Sequence, residues 1–397
     1  MKRYISILVI LSFFVLFQCE KKSSFNEFQF EVKQISMNAN NWWARAFADI
    51  NSDGKLDIVL QDNNAYGGWL GWLEYPSHDS VWKQHIVCDS MKIGGTFAAG
   101  DIEVADVDSD GDIDIFGMLH GGEWESSGPS SIYWFENPDW KTHYIGEAPS
   151  CVKDIEKADF NKDGKIDIAV ITYEANSFQV FAQTESGWFE AVNKRIKNIH
   201  EGMSVGDIDG DGFIDIATNG YWIKGPGTNL SDEWKVQSID ETWYNQDGDW
   251  SKNATKQFCA DIDGDGMMEV FISHSERKGY PLSWYNLEDP FNNVWTEHVI
   301  DTIDGCHTLQ VYDFDADGDL DVFAGENTMR WWEDDSYDPV NIYLNSGDNV
   351  TFDKKMITSE GIYNGLVGDV DGDGDYDFMR LPGHSAKVLE LWENRQF

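Results

Sequence analysis

Positive charge is scarce in this chain: 29 Lys and Arg stand against 71 Asp and Glu over 397 residues, a formal net charge of −42. A surface this acidic does not neutralise phosphates, which excludes nucleic acid and anionic membrane faces as partners. Cysteine is scarce too. Beyond the N-terminal region only Cys88, Cys151, Cys259 and Cys306 remain, without regular spacing, so isolated buried thiols are expected and no disulfide framework. There is no G-x-S-x-G, P-loop, Rossmann fingerprint or H-E-x-x-H. What the chain does have is a hydrophobic content of 41 % and an aromatic content of 14 %, enough to build a large core and outside the range of disordered acidic chains.

Long apolar runs are missing except for one at the N-terminus. Lys2 and Arg3 precede Ile5 to Phe17, a stretch of signal-peptide length and short for a bilayer span. It stops at Cys19, followed by Glu20, Lys21 and Lys22, and resembles a bacterial lipoprotein signal with Leu16 in a matching place. The resemblance implies a signal peptide over 1–18, a lipidated Cys19 with a tether over 19–25, and a folded unit over 26–397. The mature protein is then expected outside the cytoplasm, at the periplasm or cell surface, touching the membrane only through its lipid.

One motif recurs seven times. Asp49-Ile-Asn51-Ser-Asp53-Gly54-Lys-Leu-Asp57 has equivalents starting at Asp106, Asp159, Asp207, Asp261, Asp313 and Asp369, at intervals of 48 to 57 residues. The form is D-x-[DN]-x-D-G-x-x-[DE], and each copy runs into a β-branched or apolar stretch such as Ile58-Val59-Leu60. Oxygen ligands on alternate residues of a tight loop, a glycine at the sharp turn and a last carboxylate able to use both oxygens suit a hard cation of Ca²⁺ size. The expected ligands are Asp49, Asn51, Asp53 and Asp57; Asp106, Asp108, Asp110 and Asp114; Asp159, Asn161, Asp163 and Asp167; Asp207, Asp209, Asp211 and Asp215; Asp261, Asp263, Asp265 and Glu269; Asp313, Asp315, Asp317 and Asp321; Asp369, Asp371, Asp373 and Asp377. Up to seven structural Ca²⁺ ions follow. An EF-hand is excluded, because loop position 12 of the first copy is Leu60 where that motif needs Glu.

Two weaker repeats keep register with the loop. An aromatic strand comes first, as in Trp72-Leu-Glu-Tyr75, Trp134-Phe-Glu-Asn137 and Trp284-Tyr-Asn286. A strand of the form Trp82-Lys-Gln-His85-Ile86 follows, with counterparts at Trp140 to Ile145 and Trp295 to Ile300. Four strands per unit of about 50 residues make a propeller blade. The seventh unit ends at its aromatic strand, while Phe28 to Ile35 has the alternation of the missing outer strand. The fold expected is all-β: a single seven-bladed β-propeller whose N-terminal strand completes the last blade.

The seven loops, together with Asn341-Ile-Tyr-Leu-Asn-Ser-Gly-Asp-Asn-Val-Thr-Phe352, resemble the FG-GAP/VCBS repeat family, whose best-known architecture is the integrin α-subunit head. The resemblance implies Ca²⁺ in the loops, without specifying an activity. The Phe-Gly and Gly-Ala-Pro elements of the integrin version are not evident, which points away from integrin-like adhesion. The Trp-x-x-His-x-Ile strands are more similar to bacterial propellers that act on sugars, including polysaccharide lyases and the propeller part of aldos-2-ulose dehydratase.

That architecture and strand order place ligands on the face opposite the metal loops. Residues expected there include Trp43, Arg45, Lys153, His120, His274, Arg277, Arg330 and Tyr363 for binding, with Trp42, Trp124, Trp222, Tyr244 and Trp250 as further aromatic surfaces for sugar rings. A second metal held by histidines of this face is compatible with the pattern, but no tight spacing identifies its ligands. Two functions of different class remain open: a surface lipoprotein binding carbohydrate or protein, and a secreted polysaccharide lyase or sugar dehydratase. In the second, His200, His307 or Tyr173 would remove a proton, while Arg45, Arg277, Lys153 or Arg330 would neutralise a substrate acid.

Overall fold

The structure is a computed structural model that describes residues 28–36, 44–62, 68–77, 81–89, 94–120, 128–172, 174–248, 251–327, 337–383 and 386–395. The lipoprotein signal with Cys19, and Trp42, Trp43, Trp124, Tyr173, Trp250, Arg330 and His384, lie outside the described residues.

Seven antiparallel sheets form a ring of seven blades. Blade 1 runs outward through Arg45–Ala48, Asp57–Gln61, Trp69–Glu74 and Lys83–Asp89. Blades 3 to 6 repeat this order, beginning with Val152–Ala158, Met203–Gly206, Thr255–Ala260 and Cys306–Tyr312. Blade 2 differs in its innermost strand, which is interrupted into Thr96–Phe97 and Val104–Ala105, both paired with Asp114–His120. Blade 7 takes three strands from the C-terminal region, Tyr363–Gly368, Asp377–Leu381 and Val388–Asn394, and its outermost from Phe30–Ser36, with Phe30 opposite Asn394 and Ser36 opposite Val388.

The burial pattern explains the sequence pattern. Every residue of the second strand of each blade is buried, as in Asp57–Gln61, Asp167–Thr172 and Asp321–Glu326, because neighbouring blades cover both faces. Such strands read as continuous apolar runs. Outermost strands alternate between exposed and half-buried positions, as in Lys83–Asp89, since only one face meets protein. The core is divided among the seams between blades. Phe116, Met118 and Trp134 of blade 2 pack on Ile155, Val170 and Phe181 of blade 3, and six further clusters join the other adjacent pairs, blade 7 to blade 1 included.

The outer-strand histidines fasten blades internally. His85 lies flat on Trp72 with ring centres 4.0 Å apart, and His143 on Trp134 at 4.1 Å. Their Nε2 atoms stand 2.7 and 2.6 Å from Glu74 and Glu136. His298 stacks on Trp284 at 3.9 Å. Among the described residues Cys88, Cys151, Cys259 and Cys306 form no disulfide.

Candidate functional site

The acidic loops join the innermost strand of each blade to the second, so all seven lie on one face of the disc. Their backbone is the same in each. Position 4 has a positive φ in every copy: Ser52, Ser109, Lys162, Gly210, Gly264, Ala316 and Gly372. The glycine at position 6 does too, with φ from 85° to 98°, a region where a side chain is strained. The acid at position 1 accepts that glycine's N–H in all seven loops, for example Gly54 to Asp49 at 2.8 Å and Gly318 to Asp313 at 2.9 Å. The position 5 acid accepts from position 7, as Lys55 to Asp53 at 3.0 Å. In blade 5 these Asx turns bring the carboxylates of positions 1, 3 and 5, Asp261, Asp263 and Asp265, within 4.8 Å of one another.

The ninth position has a second duty that the motif alone does not reveal. Asp57 accepts the N–H of Ile50 on one oxygen at 3.1 Å and that of Tyr75 on the other at 2.8 Å. Asp114, Asp321 and Asp377 repeat the pattern with Val107 and Asn137, Phe314 and Asn345, and Val370 and Asn394. This carboxylate therefore ties the loop to the aromatic strand. Burial pushes Asp57 and Asp377 up to about 7 and Asp321 up to about 8. A carboxylate oxygen has two lone pairs, and in blades 2, 4 and 6 the ninth acid keeps an oxygen within 4.8 Å of those at positions 1 and 3.

The donor chemistry fits a hard divalent cation. Buried oxygens of Asp207, Asp209, Asp261, Asp369 and Asp371 have no hydrogen-bond partner, a costly arrangement that a cation relieves. In blade 7 Arg395 donates to Asp371 Oδ2 at 2.9 Å. Blade 4 goes further: the Lys224 ammonium sits against Asp209 and lies 2.7 Å from Asp211 Oδ2, so a protein cation reaches two of the ligand acids and occupies part of the cradle.

The opposite face surrounds the mouth of the central channel. The channel is a cavity of about 470 Å³ to which every blade's innermost segment contributes, with Arg45, Asp101, Asp154, Lys256, His307 and Asn364 among its lining. Several charged groups here are paired with one another. Lys153 Nζ lies 2.7 Å from Glu201 Oε2, and Ser275 Oγ donates to Glu201 Oε1. His307 Nε2 is 3.2 Å from Glu276 Oε1, and its ring stacks on Tyr363 at 4.0 Å. Burial and the neighbouring Glu103 and Asp154 push Asp101 up to about 8. Burial, with Glu103 and Asp101, raises Glu156 as well. Glu201 goes the other way: burial opposes its charge, but Lys153, His200, Lys256 and His307 hold it well below the usual carboxylate range.

Some residues expected on this face meet here and others do not. His200, His307, Arg45, Lys153 and Tyr363 gather at the mouth. Arg45 is 3 % exposed, burial lowers its pKa to about 10, and its guanidinium donates to the carbonyls of Tyr363, at 3.1 Å, and Asn364. His120 is fully buried against Ser130 Oγ at 3.1 Å. His274, also fully buried, faces Gln246 Oε1 at 3.0 Å through Nε2, while its Nδ1 accepts the N–H groups of Glu276 and Arg277. Arg277 donates to the carbonyl of Asp247 at 3.0 Å, so this pair pins the insertion after Asp240. One aromatic expectation is corrected. Trp222 is fully buried and donates to Asp215 Oδ2 at 3.0 Å, in the seam of blades 4 and 5. Tyr244 is half-buried and stacks on Tyr221 at 3.9 Å. Two residues matter more than the sequence indicated. Strand order places Glu201 just before an innermost strand and Glu276 just after a second strand, on this face, but among 71 acids no sequence signal assigned them a role of their own.

Seven four-stranded blades, each with an acidic loop in the same place, define a repeat β-propeller. The chain matches the FG-GAP-like repeat family at residues 106–170, 159–218 and 261–324, and these repeats within a ring of seven blades support an FG-GAP-repeat propeller. Among solved structures it is similar to a lectin of Agrocybe aegerita that recognises non-reducing terminal N-acetylglucosamine, at 15 % identity and a TM-score of 0.50 over 84 % of this chain and 91 % of that one. It is also similar to BBS1N in complex with ARL6DN, at 10 % identity and a TM-score of 0.54 over 92 % of this chain and 97 % of that one. At such identities the likeness concerns the fold alone. No curated protein sequence matches the chain.

Proposed function

We propose that this protein is a calcium-stabilised extracytoplasmic lipoprotein that binds a carbohydrate or protein ligand at the channel mouth opposite the loops. The observation that carries the reading is the difference between the faces: one repeats a single cation-shaped loop, and the other gathers unlike polar and charged residues around a 470 Å³ cavity. A cavity of that size and polarity suits one or two sugar rings. The lectin of similar fold recognises a terminal sugar, and FG-GAP repeats are typical of extracellular proteins. In the loops, positions 1, 3, 5 and 9 supply the oxygens for Ca²⁺, whose role is to fix the hinge between two strands. Among the described residues no helix is long and apolar enough to cross a membrane; attachment through Cys19 lipid is the reading for the N-terminal region.

The lyase or dehydratase alternative draws on the closeness of His307 and Tyr363. It requires a cation available to a substrate acid, and three of the four candidates are committed elsewhere: Arg45 to two carbonyls, Lys153 to Glu201 and Arg277 to Asp247, while Arg330 lies outside the described residues. Binding therefore ranks first. The test is a glycan array probed with Ca²⁺-loaded protein, beside absorbance near 235 nm on acidic polysaccharides. Retention of a glycan that is lost on Lys256→Glu supports the binding reading. Absorbance that rises with time supports the lyase, and neither signal leaves carbohydrate out and a protein ligand as the remaining form of the proposal.

A further inference from the structure

Three residues at the channel mouth belong together in a way unrelated to the seven loops. Glu201 lies two residues before the innermost strand of blade 4, Glu276 follows the second strand of blade 5, and His307 lies in the innermost strand of blade 6. They are 2 %, 8 % and 2 % exposed. One ligand atom from each lies within 4.8 Å of the other two. Neither ring nitrogen of His307 has a hydrogen-bond partner. A buried imidazole left in that state loses its hydration without compensation. Its Nε2 lies 3.2 Å from Glu276 Oε1, close enough for an ion pair but not in hydrogen-bond geometry, so the ring is aimed at the acids.

We propose that Glu201, Glu276 and His307 form a binding site for a single divalent transition-metal ion of the Zn²⁺ type, distinct from the Ca²⁺ loops. The donor set decides the cation. Ca²⁺ takes six to eight oxygens, whereas one imidazole and two carboxylates are the nitrogen and oxygen ligands of a three-residue zinc site with an open position. The charge is right for it: two glutamates offset a divalent ion, and Lys153 adds a positive neighbour to a wall that also contains Asp101, Asp154 and Glu156. The ligands are already held in place. Ser275 Oγ and Lys153 Nζ fix the two oxygens of Glu201, and the face of Tyr363 fixes the plane of His307. Outer contacts of this kind orient metal ligands and set their affinity. Of the three, His307 lines the channel, and at the coordination position left open the ion would take a ligand hydroxyl or carboxylate. The site stands on its own geometry and does not require that the ligand be a sugar.

The test uses the full chain loaded with excess Ca²⁺, so that the loops are filled, and titrated with Zn²⁺ by calorimetry and with Co²⁺ by visible absorption. One equivalent of Zn²⁺ is expected, with affinity falling roughly tenfold or more in both His307→Gln and Glu276→Gln while the Ca²⁺ content stays unchanged. Co²⁺ is expected to give the intense visible bands of a low-coordinate nitrogen and oxygen site. No Zn²⁺ binding to the Ca²⁺-loaded chain overturns the proposal, and so does binding that both variants leave intact. If a variant fails to fold, the Co²⁺ spectrum of the unaltered protein decides: its absence also overturns the assignment.

Discussion

The two faces of the disc are built by opposite rules. On the loop face seven segments adopt one backbone path, with positive φ at positions 4 and 6 and the same Asx hydrogen bonds throughout. At the channel mouth the blades differ in what they present: blade 1 brings Arg45, blade 2 Asp101, blade 3 Lys153 and Asp154, blade 6 His307. Repetition serves the architecture, since each blade needs the same hinge to lay its second strand against its neighbours. Individuality is affordable only where the hinge is not, and that is where recognition is expected.

The comparison is sharpened most strongly by removing cations. A ligand present at a hundredfold excess over its Kd stabilises the folded state by about 2.7 kcal/mol per site, so three loops already match a typical domain's stability of roughly 5–15 kcal/mol. Excess chelator is expected to lower the melting temperature sharply, read by circular dichroism; an unchanged melt breaks the contrast between the faces. The next effect separates positions within one loop. Asp377→Ala leaves two buried N–H groups without acceptors, at roughly 1–3 kcal/mol each, and this cost is expected to persist in chelator. Asp373→Ala, by contrast, loses one longer hydrogen bond from the Asp375 N–H and is expected to cost clearly less in chelator, its main effect appearing when Ca²⁺ is present. Equal behaviour of the two variants would remove the second duty assigned to the ninth position.

How far these features were legible in the sequence follows the same division. The seven loops, the four strands per unit and the outer Trp–His pairs were readable because each is written several times, and a repeated pattern separates itself from chance. The channel mouth is written once. His200 and His307 fall where strand order places them, but so do His120 and His274, which face Ser130 and Gln246 in the interior. A strand end does not say which way its side chain turns; neighbouring insertions decide that, and the one after Asp240 captures both His274 and Arg277. Trp222 was misplaced for a related reason. The third strand of blade 4 is only Tyr221–Lys224, so a residue near the loop is already in the seam. Lys224 was missed because its meeting with Asp209 and Asp211 depends on strand pairing and not on spacing.

Two smaller effects refine the contrast. Replacing Lys224 with Met frees the blade 4 cradle, and the account expects tighter Ca²⁺ binding at that loop alone, seen as one additional ion by equilibrium dialysis at limiting Ca²⁺. Loss of bound Ca²⁺ in this variant would mean that the lysine supports the loop instead of competing for it. The smallest effect concerns Asp101. Its folded-state pKa is raised to about 8 by burial and by Glu103 and Asp154, so between about pH 4 and 8 the folded chain holds a proton that the unfolded chain releases. Stability from this group is complete below the unfolded value and declines as pH rises through 8. Asp101→Asn is therefore expected to raise the melting temperature at pH 9 and leave it nearly unchanged at pH 5. A gain at pH 5 as large as at pH 9 would assign the benefit to packing and not to charge.

The most direct measurement is the number of Ca²⁺ ions retained per chain after gel filtration in Ca²⁺, read by elemental analysis. The account predicts six firmly held ions, with the blade 4 loop weakened by Lys224. Retention of none or one would contradict it, leaving the seven acidic loops as hinges closed by their own hydrogen bonds.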